Sequence, residues 1–387
     1  MTTRPGKTRL FDNHKKRKEI GKAKQRETST CRPITDGLTI IIPAINELDN
    51  LRRLTTDIQQ QQGIVPKILI ADGGSKDGTQ VFAREERILL LACPPGRGKQ
   101  MNLAARQISS GLLLFLHADT RLPNPDTLRR ALEHYSLHQP HYSGILAGHF
   151  PIRFERKDAH RHKLFWRYAE EKTQFNRPDT INGDQGLLIS KAHFTDLGGF
   201  DEALHFLEDQ KIAEMIFKRG QWIVLPDYIL TSARRFETEG KHRLYILMAI
   251  IMGLFKTGFS DFFELAPALY RQQKFARKLS LTPFFKLIWQ IKAQKLGLKK
   301  SVRAWYRVGR YVRSHSWQLF YFIDQLCRPI YRRKIYPFLW FHDHCFEKLI
   351  RNPIANTLTM LLAFAWFMGV IQPAYWLIER RSAYDYK

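Results

Sequence analysis

Short apolar runs alternate with segments of helical periodicity through the first third of the chain. The runs are LTIIIP, VPKILIAD, RILLLA and LLLFL. Between the first two, Leu48, Leu51, Leu54 and Ile58 recur at the spacing of one helix face. Strands that alternate with helices in this way predict βαβ units. Because the runs are continuous, the sequence predicts an α/β fold with a parallel sheet that is buried on both faces.

Polar and turn-forming residues follow each predicted strand. They lie at 44–47, 72–75, 95–99 and 117–119. In open α/β sheets, ligands bind beyond the carboxyl ends of the strands. The four stretches are therefore expected to meet at one edge of the sheet and to form one site.

Asp119 follows the apolar run 112–116, where a carboxylate without a charged partner is costly. A cap of the next helix is one interpretation, but Pro123 and Pro125 intervene and Asp126 is better placed for that role. A carboxylate where phosphates gather can instead hold a divalent cation. We therefore predict that Asp119 binds a metal ion.

Two glycine-containing turns are candidates for contact with an anionic ligand. The turn at Asp72–Ser75 lets a ligand approach the backbone closely, although a plain tight turn explains it equally well. Asp77 is expected to cap the helix that follows this turn. Gly98 and Lys99 open another helix and can bind an anion through amide groups and charge.

The chain is strongly basic, and the charge lies at its two ends. Its 387 residues include 62 Lys and Arg against 36 Asp and Glu, a net charge of +26. Residues 1–37 hold 11 basic against 4 acidic residues, and 271–353 hold 19 against 3. Such charge favours anionic partners, namely nucleic acid, acidic lipid headgroups or phosphorylated substrates.

The last third of the chain has the composition of a membrane-associated region. Residues 271–353 mix their basic residues with 17 aromatic residues, which suits a membrane interface or single-stranded nucleic acid. Residues 354–378 then run for 25 positions without a charge, long enough to span a bilayer. This segment favours the membrane, as a transmembrane or a re-entrant helix, with an anionic membrane surface as the partner, and a buried helix is the alternative.

Five motifs follow one another along the chain. They are Pro43–Glu47, Asp72–Thr79, Gly98-Lys99, His117-Ala118-Asp119 and Leu207-Glu208-Asp209. In type, order and spacing they resemble the family 2 glycosyltransferases of the GT-A fold, over about residues 38–240. The stretches Asp184–Gly186, Gly198–Asp201 and Thr231–Arg235 resemble a bacterial branch associated with arsenosugar biosynthesis.

This resemblance implies a nucleotide-diphosphate sugar as the donor and a role for each motif. Asp209 would be the general base on the acceptor hydroxyl, with Glu208 beside it. Asp119 would bind Mg²⁺ or Mn²⁺ between the donor phosphates, with His117 as a second candidate ligand. The residues that would contact the nucleotide-sugar are Pro43, Ala44, Asn46, Glu47, Asp72, Gly74, Ser75, Gly98, Lys99, Asp184, Arg234 and Arg235.

Two departures from the family pattern refine these implications. His117 stands where relatives often have Asp, and imidazole suits Mn²⁺ better than Mg²⁺. The QxxRW signature of polymerising relatives is not formed by Gln221-Trp222 and Arg235-Phe236. The resemblance therefore implies transfer of one sugar, by in-line displacement with inversion and with one carboxylate as base.

The sequence divides into four predicted regions. They are a basic disordered arm at 1–37, a GT-A catalytic domain at 38–240, a basic aromatic helical membrane-associated region at 241–353, and a candidate transmembrane or re-entrant helix and tail at 354–387. The four cysteines form no CxxC pair, which favours a reduced compartment. We expect an enzyme at the cytosolic face of a bacterial inner membrane, with a lipid-linked acceptor suggested by the tail.

Two alternative functions remain open at this point. A non-catalytic nucleic-acid-binding protein would use the basic flanks and bind with a steep salt dependence. A nucleotidyltransferase would use a similar sheet edge, but its glycine-rich loop with a basic signature is missing near Pro43. The glycosyltransferase hypothesis expects no nucleic acid as partner.

Overall fold

The computed structural model describes residues 37–158, 161–204, 206–272, 279–295 and 297–384. The predicted basic arm, apart from Gly37, lies outside these residues. The strands of the described part are β1 (Leu38–Ala44), β2 (Lys67–Asp72), β3 (Leu89–Ala92), β4 (Leu112–Phe115), β5 (Ile145–His149), β6 (Ile152–Glu155), β7 (Leu187–Ser190), β8 (Gly220–Val224) and β9 (Ile229–Ser232).

Seven of these strands form one sheet in the order β3-β2-β1-β4-β7-β5-β8, and β6 pairs with β9. β1 to β4 run parallel, as predicted, and their register sets Asp72 beside both Ala44 and Ala92. The expectation of a wholly parallel sheet is wrong at β7, which is antiparallel to β4 and β5. The chain enters β7 at the carboxyl edge of β4, where Leu187 pairs with Phe115, and therefore runs back along β4. The fold is a mixed α/β sheet.

Helices cover both faces of this sheet. They are α1 (Leu48–Gln59), α2 (Thr79–Glu85), α3 (Arg97–Arg106), α4 (Thr127–His138), α5 (Lys163–Lys172), α6 (Lys191–Asp196), α7 (Glu208–Arg219) and α8 (Arg234–Glu239). Alternate residues of β1 enter separate apolar clusters, with Ile40 and Ile42 in one and Ile41 in the other. Both faces are thus buried, and the edges remain for polar groups.

The described residues beyond Gly240 lie mostly in helices. The helices there are α9 (Lys241–Thr257), α10 (Ser260–Gln272), α11 (Thr282–Lys295), α12 (Leu298–Ser314), α13 (Trp317–Tyr331), α14 (Pro337–Phe341), α15 (Glu347–Ile350), α16 (Pro353–Trp366) and α17 (Gln372–Tyr384). They enclose a separate apolar core that includes Phe262 and Phe284. Ion pairs tie this region to the sheet region, with Lys256 bound to Asp179 at 2.6 Å.

A π-helical turn at Phe367–Ile371 joins α16 to α17, so that Pro353–Arg380 forms one helix of 28 residues. In length and composition, this helix is sufficient to cross a membrane. Phe367, Ile371 and Tyr375 pack into the helical core, whereas most of the other side chains are exposed. We call Pro353–Arg380 the apolar helix.

Candidate active site

The loops that follow β1 and β2 are joined by hydrogen bonds. Asn46, at φ +55°, donates its backbone N–H to Ser75 Oγ at 2.9 Å, and its Oδ1 accepts from the Lys76 N–H at 2.7 Å. Asp72 is fully buried and accepts from Ser75 N–H at 3.0 Å and from Gln80 Nε2 at 2.8 Å. Three residues predicted to bind the donor, Asn46, Asp72 and Ser75, are thereby brought together.

The end of β1 and the turn after β2 border open space. Pro43 and Ala44 close β1, and the Ala44 carbonyl accepts from Gly73 N–H at 2.9 Å and from Gln100 Nε2 at 3.1 Å. Gly74 has φ +94°, which favours glycine, and a side chain built there would meet no atom within 4 Å. The turn thus leaves room for a ligand at the carboxyl edge.

Asp77 binds the start of α2, as expected, although it is not the N-cap residue itself. The N-cap position of α2 is Gly78, but Asp77 Oδ1 still accepts from the N–H of Thr79, the first residue of α2, at 3.1 Å. Its Oδ2 accepts from the N–H of Leu48, the first residue of α1, at 2.8 Å. Burial opposes ionisation of Asp77, but hydrogen bonds from Thr79 and Leu48 hold its pKa below the ordinary value. The side chain therefore ties the two loops together.

Asp119 lies half-buried in the turn after β4, near Glu47 and Arg234. Burial and the charge of Glu47 raise the pKa of Asp119, while Arg234 and the N–H of Ser232 oppose that rise. Arg234 Nη2 is 3.8 Å from Glu47 Oε1. The structure thus brings three predicted site residues together, two of them carboxylates that repel each other.

Asp184 interacts electrostatically with Asp119 of this group and with Asp209. Asp184 lies in the 3₁₀ turn Gly183–Gln185, and Asp209 lies in the first turn of α7. Burial, followed by the charges of Asp209 and Asp119, raises the pKa of Asp184 to about 7. Asp184 Oδ1 is buried and has no hydrogen-bond partner. A buried carboxylate oxygen of this kind, close to other carboxylates, suits a bound cation.

Backbone amide groups orient the Asp209 carboxylate. Its Oδ2 accepts from Gly183 N–H at 2.6 Å, and its Oδ1 accepts from Gln210 N–H at 2.8 Å. Burial raises the pKa of Asp209, the charge of Arg97 opposes that rise, and Glu208 adds to it. The side chain is thus a fixed carboxylate with increased basicity, as a general base requires.

Arg97 is the residue at this site that the sequence analysis missed. It forms an ion pair with Glu208, whose side chain is only 1% exposed, and its Nη1 lies 3.3 Å from His117 Nε2. Burial and the charge of Arg97 lower the pKa of His117 to about 3, so the ring is neutral and can accept from Arg97. His117 Nε2 therefore faces a guanidinium group. The available signal was a basic residue between Gly96 and Gly98 at a helix start.

The other residues predicted to contact the donor, Gly98, Lys99 and Arg235, lie in different surroundings. Gly98 is buried, and a side chain there would meet Glu208 Cγ at 3.5 Å, whereas Lys99 is exposed. Arg235 donates to Tyr270 Oη at 2.6 Å and pairs with Glu239 at 3.1 Å, so its guanidinium contacts α8 and α10. The roles of Lys99 and Arg235 in donor binding stay predictions.

The acidic edge, defined as Glu47, Asp119, Asp184, Glu208 and Asp209, suits a cation that shares its ligands with a substrate. Among the described residues, the potential ligand atoms of His342, Asp343 and Glu347 lie within 4.8 Å of one another. The carboxylates of the acidic edge do not form such a group by themselves. Carboxylate oxygens are the ligands that Mg²⁺ and Mn²⁺ prefer, and Mg²⁺ is commonly bound by one or two carboxylates plus substrate phosphates. Asp119 and Asp184 fit that pattern.

The group at 342–347 is explained by its own hydrogen bonds. His342 Nε2 lies 2.8 Å from Ser316 Oγ, and its Nδ1 lies 3.0 Å from Asp343 Oδ1. Asp343 also forms an ion pair with Arg177. These contacts join α13 to the segment after α14 and to the sheet region, which is a structural role.

A small cavity of about 30 Å³ lies behind the acidic edge. Its walls are mostly apolar, with Met101, Phe115 and Trp222 among them, and His117 and Asp209 border it. This volume admits a water molecule but no sugar. A sugar substrate would therefore bind on the outer side of Asp209.

Comparisons of sequence support a family 2 glycosyltransferase. Residues 39–194 match the family model described as glycosyl transferase family 2. The succinoglycan biosynthesis protein ExoA of Rhizobium meliloti (strain 1021) is 25% identical over 199 residues, which make up 49% of this chain and 60% of ExoA. The chain thus matches about three fifths of that relative's length. The family match includes Asp72, Asp119 and Asp184 and ends before Asp209.

The solved structures to which this chain is similar are more distant. TarS 1–349 of S. aureus in complex with UDP is 16% identical with a TM-score of 0.43, covering 86% of this chain and 92% of TarS 1–349. The mannosyltransferase PcManGT of Pyrobaculum calidifontis, in complex with GDP-Man and Mn²⁺, is 15% identical with a TM-score of 0.41. That likeness covers 90% of this chain and 94% of the mannosyltransferase.

Proposed function

We propose that this chain is a GT-A-type glycosyltransferase that moves one sugar from a nucleotide-diphosphate donor to an acceptor hydroxyl. The observation that carries the proposal is the contact of two acidic elements, because the turn that holds Asp184 donates its Gly183 N–H to Asp209 Oδ2 at 2.6 Å. Asp184, with a buried oxygen that lacks a hydrogen-bond partner, also interacts electrostatically with Asp119 of the turn after β4. The sequence match over residues 39–194 supports the same class of enzyme. The finer assignment to an arsenosugar-associated branch rests on the three motifs alone.

The donor is proposed to bind across the loops after β1 and β2. Asp72 has both carboxylate oxygens engaged by Ser75 and Gln80, so its main contribution is to hold the turn in shape. Asn46 and Ser75 then present backbone and side-chain polar groups beside the open space at Gly74. This arrangement supports binding of the nucleoside there, with the diphosphate directed toward Asp119.

The chemical step is an in-line displacement at the anomeric carbon. Asp209 takes the proton of the acceptor hydroxyl while the acceptor oxygen forms a bond to the anomeric carbon. The bond from that carbon to the donor phosphate breaks, and its electron pair leaves with the nucleoside diphosphate. Attack from the face opposite the leaving group inverts the anomeric configuration. The two backbone N–H groups on Asp209 fix the direction in which it accepts the proton.

The acidic edge is proposed to bind Mg²⁺ or Mn²⁺ together with the donor. When bound, the cation would neutralise charge on the departing diphosphate. Asp119 and Asp184 are the residues that would hold it, because Asp184 Oδ1 lacks a partner and His117 Nε2 faces Arg97. Arg234, 65% exposed near Glu47, can contact phosphate from the other side.

The acceptor is proposed to be lipid-linked, at the cytosolic face of a bacterial inner membrane. The exposed apolar helix and the basic aromatic region are the features that support this location. ExoA carries the name of a succinoglycan biosynthesis protein, a carbohydrate-building role that is compatible with this proposal.

Donor hydrolysis by purified protein tests the catalytic proposal without a known acceptor. We expect release of nucleoside diphosphate from at least one member of a panel of nucleotide-sugars, with dependence on Mn²⁺ or Mg²⁺. Asp209→Asn should lower turnover by about 10²–10⁴-fold while donor binding, measured by thermal shift, persists.

Asp196→Asn is the matched control, since this carboxylate is exposed and pairs with Arg219 away from the edge. It should retain full turnover. Normal turnover of Asp209→Asn would exclude Asp209 as the base, and full activity in a chelator would exclude the metal.

A further inference from the structure

The apolar helix presents a continuous unpartnered face on the surface of the helical region. Its exposed large side chains in α16 follow the spacing of one broad helix face. They are Ile354, Leu358, Leu361, Leu362 and Trp366. Leu358 and Leu362 are 56% and 70% exposed, which is costly in water for two leucines on one helix. This face is therefore expected to contact an apolar environment.

The opposite face of the same helix is fixed to the protein. Gly309 of α12 lies so close to α16 that a Cβ there would meet the Asn356 carbonyl oxygen and the Met360 nitrogen at 2.6 Å. Arg313 Nε donates to Asn356 Oδ1 at 2.7 Å. At the other end, Glu379 accepts from the Leu281 N–H at 2.8 Å. The helix is thus held along its length rather than by a single hinge.

Exposed arginines lie on α12, the helix that packs against the other face of α16. Arg313 lies at Asn356, whereas Trp305 packs on Phe364 at a ring distance of 5.0 Å, so α12 runs antiparallel to α16. The exposed side chains of α12 between these contacts and just before Trp305 include three arginines, which we call the arginine row. They are Arg303, Arg307 and Arg310. Arg307 and Arg310 are therefore level with the middle of α16, and Arg303 is level with the middle of the whole apolar helix.

We propose that the apolar helix lies in the plane of an anionic lipid surface, with its exposed face in the acyl boundary and the arginine row at the lipid phosphates. The helix is about 42 Å long at 1.5 Å per residue, so length alone would allow it to cross a core of about 30 Å. A spanning orientation, however, would carry the arginine row to the bilayer centre, where charged side chains are strongly disfavoured. In the in-plane orientation, the exposed apolar side chains enter the acyl boundary while the arginines stay at the lipid phosphates.

This inference deepens the membrane part of the proposed function and does not depend on the sugar chemistry. It also gives the lipid surface a defined position on the protein, namely α12 and α16. A lipid-linked acceptor would then meet the enzyme from the side on which these two helices lie.

Vesicle flotation of the full-length protein tests the docking surface. We expect binding to phosphatidylcholine vesicles that contain phosphatidylglycerol, weak binding to phosphatidylcholine alone, and release by salt. The double variant Leu358→Glu with Leu362→Glu should bind at least about tenfold more weakly. Arg303→Gln with Arg307→Gln should lose the preference for anionic lipid by a similar factor.

Leu137→Glu is the matched control, because Leu137 is an exposed leucine (69%) on α4 of the sheet region. It should bind vesicles like the wild type. Equal unfolding temperatures of all variants would show that the changes act on the surface. Unchanged donor hydrolysis by the leucine variant would separate docking from catalysis.

Extraction at alkaline pH distinguishes the in-plane from the spanning orientation. An in-plane helix releases the wild-type protein from the vesicles, whereas a spanning helix retains it in the membrane pellet. Retention of the wild type, or vesicle binding by the leucine variant at wild-type strength, would overturn the proposal. If the protein docks as expected but hydrolyses no nucleotide-sugar, the docking surface stands and the proposed function fails.

Discussion

The acidic edge of the sheet and the arginine row of α12 place like charges in opposite ways. At the acidic edge, burial, together with the charges of Asp209 and Asp119, raises the pKa of Asp184. In α12, the arginines point outward into solvent. Like charges that are desolvated together cost far more than like charges in water.

The difference teaches what each region requires from outside the chain. The acidic edge contains one internal cation, Arg97, which is already paired with Glu208. A divalent cation is the compact partner that relieves such an edge. The arginine row covers a broad surface next to exposed leucines, and an anionic bilayer is the extended partner that matches it.

The largest expected loss of stability comes from a carboxylate at which the sheet region meets the helical region. Asp179 is 6% exposed and binds Lys256 at 2.6 Å and His315 Nε2 at 2.8 Å. Although burial opposes ionisation, these partners lower the pKa of Asp179. Asp179→Asn should reduce the free energy of unfolding by about 3 kcal/mol at pH 7, because it breaks a buried ion pair.

Asp184→Asn should raise the free energy of unfolding at neutral pH, whereas Asp179→Asn lowers it. The pKa of Asp184 is raised to about 7, so the folded state holds its proton where the unfolded chain has lost it. Stability therefore falls as the pH rises from about 4 to 7, and Asp184→Asn should remove that fall. The stability that Asp179 contributes is present at pH 7 and is lost as the pH drops below about 4.

Urea unfolding in a chelator at pH 5 and pH 8 measures both variants. A loss of stability by Asp184→Asn at pH 8 would contradict the idea that the acidic edge is under repulsion.

A smaller loss of stability is expected when Arg97, the cation of the acidic edge, is replaced. Arg97→Ala leaves Glu208 buried without its partner and should cost about 2 kcal/mol, less than a fully buried pair because Arg97 is 39% exposed. Arg106→Ala on the same helix is the control. It breaks an exposed pair with Glu202 and should cost less than about 1 kcal/mol. Equal unfolding midpoints in urea for the two variants would show that the Arg97–Glu208 pair stabilises the protein no more than the exposed Arg106–Glu202 pair.

The smallest effect is expected where α12 meets the apolar helix. Gly309→Ala should destabilise by about 1 kcal/mol, since the new methyl group would press on backbone atoms of α16. Gly253→Ala in α9 is the matched helical control, because its methyl group would meet Tyr311 only at 3.8 Å. It should be neutral or stabilising by up to about 1 kcal/mol, as alanine favours helices. A neutral Gly309→Ala variant in thermal unfolding would show that the two helices can separate easily.

Much of the fold near the acidic edge could be predicted from local patterns. The apolar runs gave β1 to β4 and the helical spacing gave α1, because burial periodicity is a local property. The positions of Asn46, Asp72 and Ser75 at one edge followed from parallel pairing. The direction of β7 could not be predicted, since it depends on where the chain enters the sheet.

The sequence by itself determined which residues are apolar, acidic or basic, and therefore the α/β character, the carboxyl-edge loops and the basic aromatic end. The tertiary structure alone decided the distances between residues remote in sequence. It placed Arg97 on Glu208, used Asp77 to hold the start of α1 as well as that of α2, and laid α16 against Gly309. These outcomes depend on packing of distant elements, and the pattern of any one segment contains no information about its partner.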